Sequence, residues 1–211
     1  MQVSRRSLVV GGAALVGFAA TARAGKLAPT SGQDLGPFYP VVRPRDEDAD
    51  LTRLRGAKGV ARGEPINVIG RVVDLRGRPV RGVRLELWQA NSVGRYDHPG
   101  DHANPAALDP NFQGFARLLT DREGNFKFRT IKPSAYNTPI GMRTPHIHFD
   151  IHGRSERLVT QMYFPGEALN EKDFLLRNAE PRESVIAQAA ARLSGDPAAA
   201  AFNWTVVLAY G

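Results

Sequence analysis

Alternation of apolar and polar positions predicts a series of short β-strands from residue 64 onwards. Positions 66–74 are rich in β-branched residues, and positions 83–88 alternate apolar with polar side chains. Comparable runs predict further strands at 114–119, 125–131, 146–151, 158–164 and 203–210. Because glycine-rich turns separate these short runs, the pattern indicates an all-β protein built as an antiparallel β-sandwich.

The segments around this strand region have different patterns. Residues 25–63 are rich in proline, glycine and charge, which predicts an extended N-terminal arm with few regular elements. An alanine-rich amphipathic stretch at 183–193 predicts a short C-terminal helix. A chain of 211 residues is long enough for one well-packed domain, which we place at 64–211.

The first 24 residues have the build of an export signal. Arg5 and Arg6 precede an apolar run at 9–20, and Ala22-Arg23-Ala24 supplies a small-residue cleavage pattern. The paired arginines favour a twin-arginine signal over an ordinary secretory signal. We therefore expect a periplasmic or exported protein without a stable membrane anchor after cleavage, folded and carrying any metal before export.

Composition narrows the chemistry further. The chain has no cysteine, so disulfides and thiolate metal ligands are excluded. Its formal charge is +7, and loss of three arginines with the signal leaves 25 basic against 21 acidic residues, near +4. The basic residues are scattered and form no run interleaved with aromatics, which argues against nucleic-acid binding. A mild positive balance is compatible with anionic substrates.

Two histidines and two tyrosines form the candidate metal site. Side chains alternate faces along a strand, so His146 and His148 point the same way and can converge on one ion. Such a pair can also be only solvated or hydrogen-bonded. Tyr96 and Tyr136 each follow a predicted strand, and phenolate oxygen with imidazole suits an oxidised iron. Taken singly, either tyrosine can equally be a half-buried aromatic residue.

Several short motifs resemble the intradiol ring-cleavage dioxygenases, specifically the protocatechuate 3,4-dioxygenase type. The resemblance runs in the family's order from about residue 35 to 166. It is carried by Gly36-Pro37-Phe38-Tyr39-Pro40, Gly70-Arg71-Val72-Val73-Asp74, Trp88-Gln89-Ala90-Asn91 with Gly94-Arg95-Tyr96, Phe128-Arg129-Thr130-Ile131-Lys132-Pro133 leading to Tyr136, the segment 143–149, and Thr160-Gln161-Met162-Tyr163-Phe164.

The resemblance implies a β-sandwich that binds Fe(III) and cleaves a catechol-type ring with O₂ to a cis,cis-muconate product. The family's iron ligands fall on Tyr96, Tyr136, His146 and His148. Its active-site arginine falls on Arg143, which needs a kink at Pro145 to turn inward, and its pocket glutamine falls on Gln161. The chain resembles a beta chain, so a homo-oligomer or a hetero-oligomer with a homologous chain is expected.

Two features depart from the family. Asn137-Thr138 follows Tyr136 where protocatechuate enzymes carry proline and tryptophan, which leaves the catechol unspecified. The N-terminal arm is also too short for the helical dimerisation segment of catechol-cleaving relatives.

Two other functions remain open from the sequence. An exported zinc hydrolase could use His146, His148 and His152, which share strand parity. A non-catalytic periplasmic binding module could keep the β-sandwich alone. We expect His152 to face solvent, and His98 and His102 to belong to a solvated loop.

Overall fold

Ten β-strands make up most of the regular structure in the computed structural model, which describes residues 26–44, 46–139 and 141–210. The predicted export signal lies outside these residues. No helix within them is long and apolar enough to cross a membrane. The strands are β1 (Pro65–Asp74), β2 (Arg84–Trp88), β3 (Phe115–Leu119), β4 (Asn125–Ile131), β5 (Tyr136–Thr138), β6 (Gly141–Arg143), β7 (His146–His152), β8 (Arg157–Tyr163), β9 (Gln188–Ala190) and β10 (Ala200–Leu208).

The strands form a sandwich of two four-stranded sheets beside a small hairpin. One sheet has the order β4-β1-β10-β9, the other has the order β3-β2-β7-β8, and β5 pairs with β6. The all-β prediction is confirmed, but the first sheet is mixed because β1 and β10 run parallel. These two strands lie at opposite ends of the domain sequence, so no hairpin forces them to be antiparallel.

The apolar core lies between the two sheets, and β7 is buried on both of its faces. Ile147, Phe149 and Ile151 point into the core and are fully buried. His146 and His148 alternate with them and point to the outer face, yet each is only 2% exposed. An antiparallel sheet ordinarily leaves such an outer face to water. Here another part of the chain must cover it.

The N-terminal arm provides that cover. It is extended, as predicted, and binds edge positions of both sheets through backbone hydrogen bonds. Thr30 N donates to Val207 O at 3.0 Å on β10, and Gln33 N donates to Val159 O at 2.8 Å on β8. The arm then crosses the outer face of β2 and β7 and shields the histidines from solvent.

A buried carboxylate anchors the arm to this face. Glu86 on β2 is 2% exposed and accepts a hydrogen bond from Tyr39 Oη at 2.6 Å. Arg43 in the arm and Arg117 on β3 also contact Glu86, at 3.1 and 3.2 Å. Burial and the Glu86 carboxylate raise the pKa of Tyr39, so its hydroxyl stays a donor. The buried charge is thus paired and hydrogen-bonded, as its low exposure requires.

The predicted helix at 183–193 is wrong. The chain forms a 3₁₀ turn at Arg182–Val185 and then the edge strand β9, while the one short α-helix among the described residues, α1, is Phe174–Arg177. Tertiary contacts explain the difference. Ala187 N donates to Tyr163 O at 2.9 Å, and Trp204 Nε1 donates to Ser184 O at 3.0 Å. Pairing with β10 outweighs the helix propensity of the alanines in this stretch, because tertiary contacts override local propensity.

We predict that Tyr39→Phe lowers the free energy of unfolding by about 1.5–3 kcal/mol, the usual contribution of a hydrogen bond to a charged group. The substitution removes the hydroxyl and keeps the ring packed, so the loss of stability measures the contribution of the hydrogen bond to Glu86. Urea denaturation measures it. Tyr210→Phe is the matched control, because Tyr210 is 73% exposed, and should change stability by less than about 0.5 kcal/mol. Equal effects in both variants would show that the arm is not held this way.

Candidate active site

The four candidate metal ligands converge on one buried point. Tyr96 Oη lies 3.4 Å from Tyr136 Oη, which lies 3.3 Å from His146 Nε2. His146 Nε2 is in turn 3.1 Å from His148 Nε2. All four side chains are buried. Residues separated by fifty positions in the sequence therefore direct two oxygens and two nitrogens at a common centre.

Strand β7 and its neighbours orient the histidine pair. Pairing with β8 places Tyr163 opposite His146 and Gln161 opposite His148. On the other side, Trp88 of β2 stacks on His148 with ring centroids 5.0 Å apart and planes 9° apart. These contacts fix the plane of the His148 imidazole and leave its Nε2 edge directed at the centre.

A backbone hydrogen bond sets the tautomer of His146. Its Nδ1 lies 2.6 Å from Thr144 O, and a carbonyl oxygen can only accept. Nδ1 therefore carries the proton, and Nε2 keeps its lone pair for the centre. Metal-binding histidines are held in the same way, with the second ring nitrogen bonded to a carbonyl or carboxylate.

The loop after β2 carries Tyr96 to the site. Tyr96 N donates to the carboxylate of Asp101 at 2.8 Å, and Phe38 of the arm stacks on the Tyr96 ring at 4.5 Å. Gly94 has φ +77°, and a Cβ at this position would lie 2.5 Å from Ala135 O. Glycine is therefore required for the loop to approach the segment that holds Tyr136.

Burial controls the charge of the donors. It raises the pKa of Tyr96 well above that of a free phenol and also raises the pKa of Tyr136. Burial, followed by neighbouring positive charge, lowers the pKa values of His146 and His148 well below that of free imidazole. The protein alone thus presents two phenols and two neutral imidazoles.

This donor set fits a hard, highly charged metal ion. Neutral imidazoles are ready to coordinate, and a bound cation reverses the effect of burial on the phenols by stabilising their anions. Hard anionic oxygen with imidazole suits Fe(III), and cysteine is absent from the chain. The residues present therefore fit the iron that the family resemblance implies.

Arg143 and Gln161 form a polar pair beside the ligands. Arg143 Nη2 donates to Gln161 Oε1 at 2.6 Å and to Tyr163 Oη at 3.2 Å. Arg143 ends β6 rather than continuing β7, so Thr144-Pro145 breaks the strand alternation between Arg143 and His146. The inward turn expected at Pro145 is present, and Arg143 is only 6% exposed.

Asp173 is a site residue that the sequence reasoning missed. Its carboxylate is fully buried and accepts from Arg143 Nε at 2.8 Å and from Thr144 N at 2.9 Å. Its other oxygen accepts from Leu176 N at 3.0 Å and caps α1. An aspartate before an apolar run is a helix N-cap signal, but no local pattern indicates its pairing with Arg143.

A cavity of about 890 Å³ leads to this centre. Tyr136, His148, Arg143 and Gln161 line its inner part. The wall nearer the surface is largely apolar and includes Phe38, Val93, Pro139, Met142, Phe174 and Leu175. A mostly apolar recess with a few convergent polar groups is typical of a small-molecule site.

The remaining histidines lie away from the centre. His152 Nε2 is 3.1 Å from an Asp150 oxygen, and within the described ranges His152 does not join the other histidines in a cluster able to share one ion. His102 is exposed on the loop, and His98 Nδ1 accepts from Gly100 N at 2.9 Å. The three-histidine zinc site considered from the sequence is therefore not assembled.

The comparisons with known proteins agree with this geometry. The family model described as Dioxygenase matches residues 35–210. The chain belongs to the dioxygenase family. Together with the named relatives, this match confirms the resemblance to the intradiol, protocatechuate 3,4-dioxygenase type. The matched region includes the arm from residue 35, both sheets and every ligand candidate.

Named relatives give the same classification. The chain is 49% identical to the protocatechuate 3,4-dioxygenase beta chain of Burkholderia cepacia over 67% of this chain and 59% of that one. It is 31% identical to the alpha chain of Pseudomonas putida over 77% and 84%. Against the catechol 1,2-dioxygenase of Candida albicans and the hydroxyquinol 1,2-dioxygenase of Nocardioides simplex, it spans 46% and 48% of the relative. The chain therefore spans about half the length of the beta chain and of the catechol and hydroxyquinol dioxygenases, and 84% of the alpha chain.

A solved structure supports the fold assignment. The dioxygenase domain of a dioxygenase carbohydrate-binding protein fusion from Streptomyces sp. SirexAA-E matches with a TM-score of 0.63 and 26% identity. The match covers 86% of this chain and 99% of that domain.

We predict that the metal-free protein loses stability as pH falls from 7 to 5. The folded pKa values of His146 and His148 are lowered, so the unfolded chain binds more protons below its own imidazole pKa of about 6.5. Each histidine then contributes a slope of at most about 1.4 kcal/mol per pH unit. Urea denaturation across this range measures the slope.

The double variant His146→Gln/His148→Gln is the control for this titration and should show a much flatter profile. Asp150, whose folded pKa is lowered, keeps its stabilising effect until the pH approaches the unfolded carboxyl value of about 3.9. The contribution of Asp150 therefore changes only below the pH range from 7 to 5. A stability that is constant or rises from pH 7 to 5 in the parent chain would contradict the buried neutral pair.

We also predict that Asp173→Asn lowers the free energy of unfolding by about 3–5 kcal/mol, because it leaves Arg143 buried without a counter-charge. Glu171→Gln is the matched control. Glu171 pairs with Arg182 at 2.7 Å but is 76% exposed, so its loss should cost at most about 1 kcal/mol. Chemical denaturation compares the two. Equal costs would show that the buried Asp173–Arg143 pair stabilises the fold no more than an exposed ion pair does.

Proposed function

We propose that this protein is a non-haem Fe(III) intradiol dioxygenase that cleaves a catechol-type ring with O₂ to a cis,cis-muconate product. The observation that carries the proposal is the convergence of two phenol oxygens and two imidazole nitrogens at the inner end of the cavity. Membership of the dioxygenase family supports it. Both oxygen atoms enter the product, so the reaction needs no external reductant.

Tyr96, Tyr136, His146 and His148 would hold the iron. When bound, Fe(III) supplies a Lewis acid that lowers the pKa of catechol hydroxyls and makes the ring open to attack by O₂. The surrounding protein keeps water away, because the arm and the sheet that contains β7 bury all four candidate ligands. Electrostatic interactions are stronger in such a setting than in water.

Tyr136 is the phenol placed to receive a proton from the substrate. It lines the cavity, whereas Tyr96 lies behind it under Phe38. Once ionised, Tyr136 Oη can accept the proton of an entering catechol hydroxyl, which makes it a general base. The two tyrosines therefore have different roles even though both are ligands.

Arg143 stabilises negative charge that develops on the ring and on the oxygen that attacks it. Its pKa is raised by nearby Tyr163 and Asp173 against the effect of burial, so it remains a cation. Gln161 accepts from Arg143 through Oε1 and leaves its amide nitrogen, 3.4 Å from Asp34 O, close to the cavity. That amide orients substrate or oxygen. Preorganised donors of this kind often supply the largest part of a catalytic effect.

The assembly and location are further parts of the proposal. Alpha and beta chains of protocatechuate 3,4-dioxygenase are both relatives of this chain, which supports an oligomer with itself or with a homologous chain. The N-terminal arginine pair and apolar run support twin-arginine export to the periplasm or beyond.

The iron-loaded protein should consume O₂ only when a catechol is added, and Arg143→Gln should lower kcat about 10²–10³-fold, the usual loss for a preorganised charge-stabilising donor. An oxygen electrode measures uptake, and mass spectrometry of the product after reaction in ¹⁸O₂ counts the incorporated atoms. Arg122→Gln is the matched control, because Arg122 is exposed in the β3–β4 turn and should leave uptake unchanged.

Binding of catechols without O₂ uptake would contradict the enzymatic proposal and favour the binding module. Incorporation of one ¹⁸O atom rather than two would contradict intradiol dioxygenation. A loss of activity in Arg122→Gln equal to that in Arg143→Gln would remove the assigned role of Arg143.

A further inference from the structure

The side chain of Gln33 connects the N-terminal arm to the polar pair beside the candidate ligands. Its Oε1 lies 3.0 Å from Tyr163 Oη, and Tyr163 Oη accepts a hydrogen bond from Arg143 Nη2 at 3.2 Å. Its Nε2 donates to the backbone oxygen of Leu175 in α1 at 3.0 Å. Gln33 precedes the region that the family model matches, residues 35–210, so the family motifs do not point to it.

The backbone oxygen of Leu175 fixes the orientation of the Gln33 amide. A carbonyl oxygen can only accept a hydrogen bond, so the amide nitrogen must face Leu175 and Oε1 must face Tyr163. The backbone of Gln33 is held as well, since its N–H donates to Val159 O at 2.8 Å on β8. Gln33 therefore presents a fixed acceptor to the Tyr163 hydroxyl.

The Tyr163 hydroxyl has two oxygen neighbours of this kind but only one proton to donate. Gln33 Oε1 and Gln161 Oε1 both lie 3.0 Å from Tyr163 Oη. Burial raises the pKa of Tyr163, so the phenol keeps that proton. Gln161 Oε1 already accepts from Arg143 Nη2 at 2.6 Å, whereas Gln33 Oε1 has no other donor among the described residues. The proton is therefore directed at Gln33.

The direction of this proton affects how Arg143 is held. When Tyr163 donates to Gln33, its oxygen lone pairs remain available to Arg143 Nη2. Gln161 Oε1 then accepts from Arg143 alone. Without an acceptor at position 33, the Tyr163 proton turns to Gln161 Oε1 and competes with the guanidinium for that oxygen. The guanidinium and the Gln161 amide would then both lose their fixed positions.

We propose that Gln33 is a positioning residue that directs the Tyr163 proton and thereby holds Arg143 in place for catalysis. This inference rests on the proposed function, since Arg143 stabilises developing charge only if the ring-cleavage reaction takes place. Gln33 acts through Tyr163, and it does not belong to the residues that line the cavity.

The variant Gln33→Met tests this role, because it keeps the side-chain length and the backbone hydrogen bond to Val159 but removes the acceptor. The substrate is whichever of catechol, 4-methylcatechol and protocatechuate gives the fastest O₂ uptake, and rates are normalised to bound iron. We expect kcat to fall about three- to tenfold, the range that one neutral hydrogen bond supports. KM should stay within about twofold, because the charge that Arg143 stabilises develops only in the transition state.

Gln188→Met is the matched control. Gln188 is an exposed glutamine on the edge strand β9, far from the cavity lining, and its substitution should leave kcat and KM unchanged. A fall in kcat of equal size in Gln188→Met and Gln33→Met would overturn the positioning role.

A Tyr163→Phe background separates positioning from a simple loss of structure. Tyr163→Phe removes the hydroxyl proton, so adding Gln33→Met should lower kcat no further. The hydrogen bond to Leu175 is lost in this background too, so a purely structural effect of Gln33→Met would persist. Additive losses in kcat, or an unchanged kcat in Gln33→Met alone, would overturn the positioning role.

A measurement on the metal-free chain keeps the inference testable without turnover. The Nε–H signal of Arg143 in a ¹⁵N-labelled sample, assigned by its absence in Arg143→Gln, reports the placement of the guanidinium. This signal should shift or broaden in Gln33→Met. Adding Gln33→Met to Tyr163→Phe should produce no further change.

The two measurements together distinguish the failure of each proposal. No O₂ uptake with any of the three compounds, with the expected changes in the Arg143 signal, would overturn the proposed function and support the placement of Arg143 by Gln33. Uptake with an Arg143 signal that Gln33→Met leaves unchanged would overturn the positioning role and support the proposed function. Absence of both uptake and signal change would overturn both.

Discussion

Coverage of the outer face of β7 by the N-terminal arm is the constraint on which the rest of the site depends. Apolar side chains on the inner face of this strand belong to the core, while His146 and His148 on the outer face are buried by chain that lies far earlier in the sequence. Gly36 passes so close that a Cβ there would lie 3.1 Å from the His148 ring, and Phe38 stacks on Tyr96. Because the arm keeps water away, the two imidazoles stay neutral and the two phenols keep their protons until a cation binds.

Strand positions followed directly from the alternation of side chains, since a strand half-buried in a sheet imposes a period of two. β5, β6 and β9 were missed because three-residue strands carry too little pattern to detect. The helix predicted at 183–193 failed for a different reason. Its alanines favour a helix locally, but the open edge of β10 and the buried positions of Val185 and Ala187 impose an extended path.

The sequence indicated the candidate site residues whose side-chain chemistry is distinctive. It did not indicate the residues that hold those side chains in place. Tyr96, Tyr136, His146 and His148 were recognisable as a candidate ligand set, and Arg143 and Gln161 followed as candidates from the family motif. Asp173 was not, because its partner lies thirty positions earlier and only the folded chain shows the pair. The covering of the candidate ligands by the arm was likewise not predictable, since the sequence of an extended segment does not indicate which residues it contacts.

The central claim is a ferric centre held by two phenolates and two imidazoles, and metal content measured with visible absorption tests it most directly. The purified protein should carry about one iron per chain and show a broad visible band, because ferric tyrosinate absorbs visible light. Reduction should bleach that band, and Tyr136→Phe or His148→Gln should weaken or abolish it, while Tyr210→Phe leaves it intact. A colourless protein that binds zinc in place of iron, or a band that survives replacement of both site tyrosines, would contradict the account.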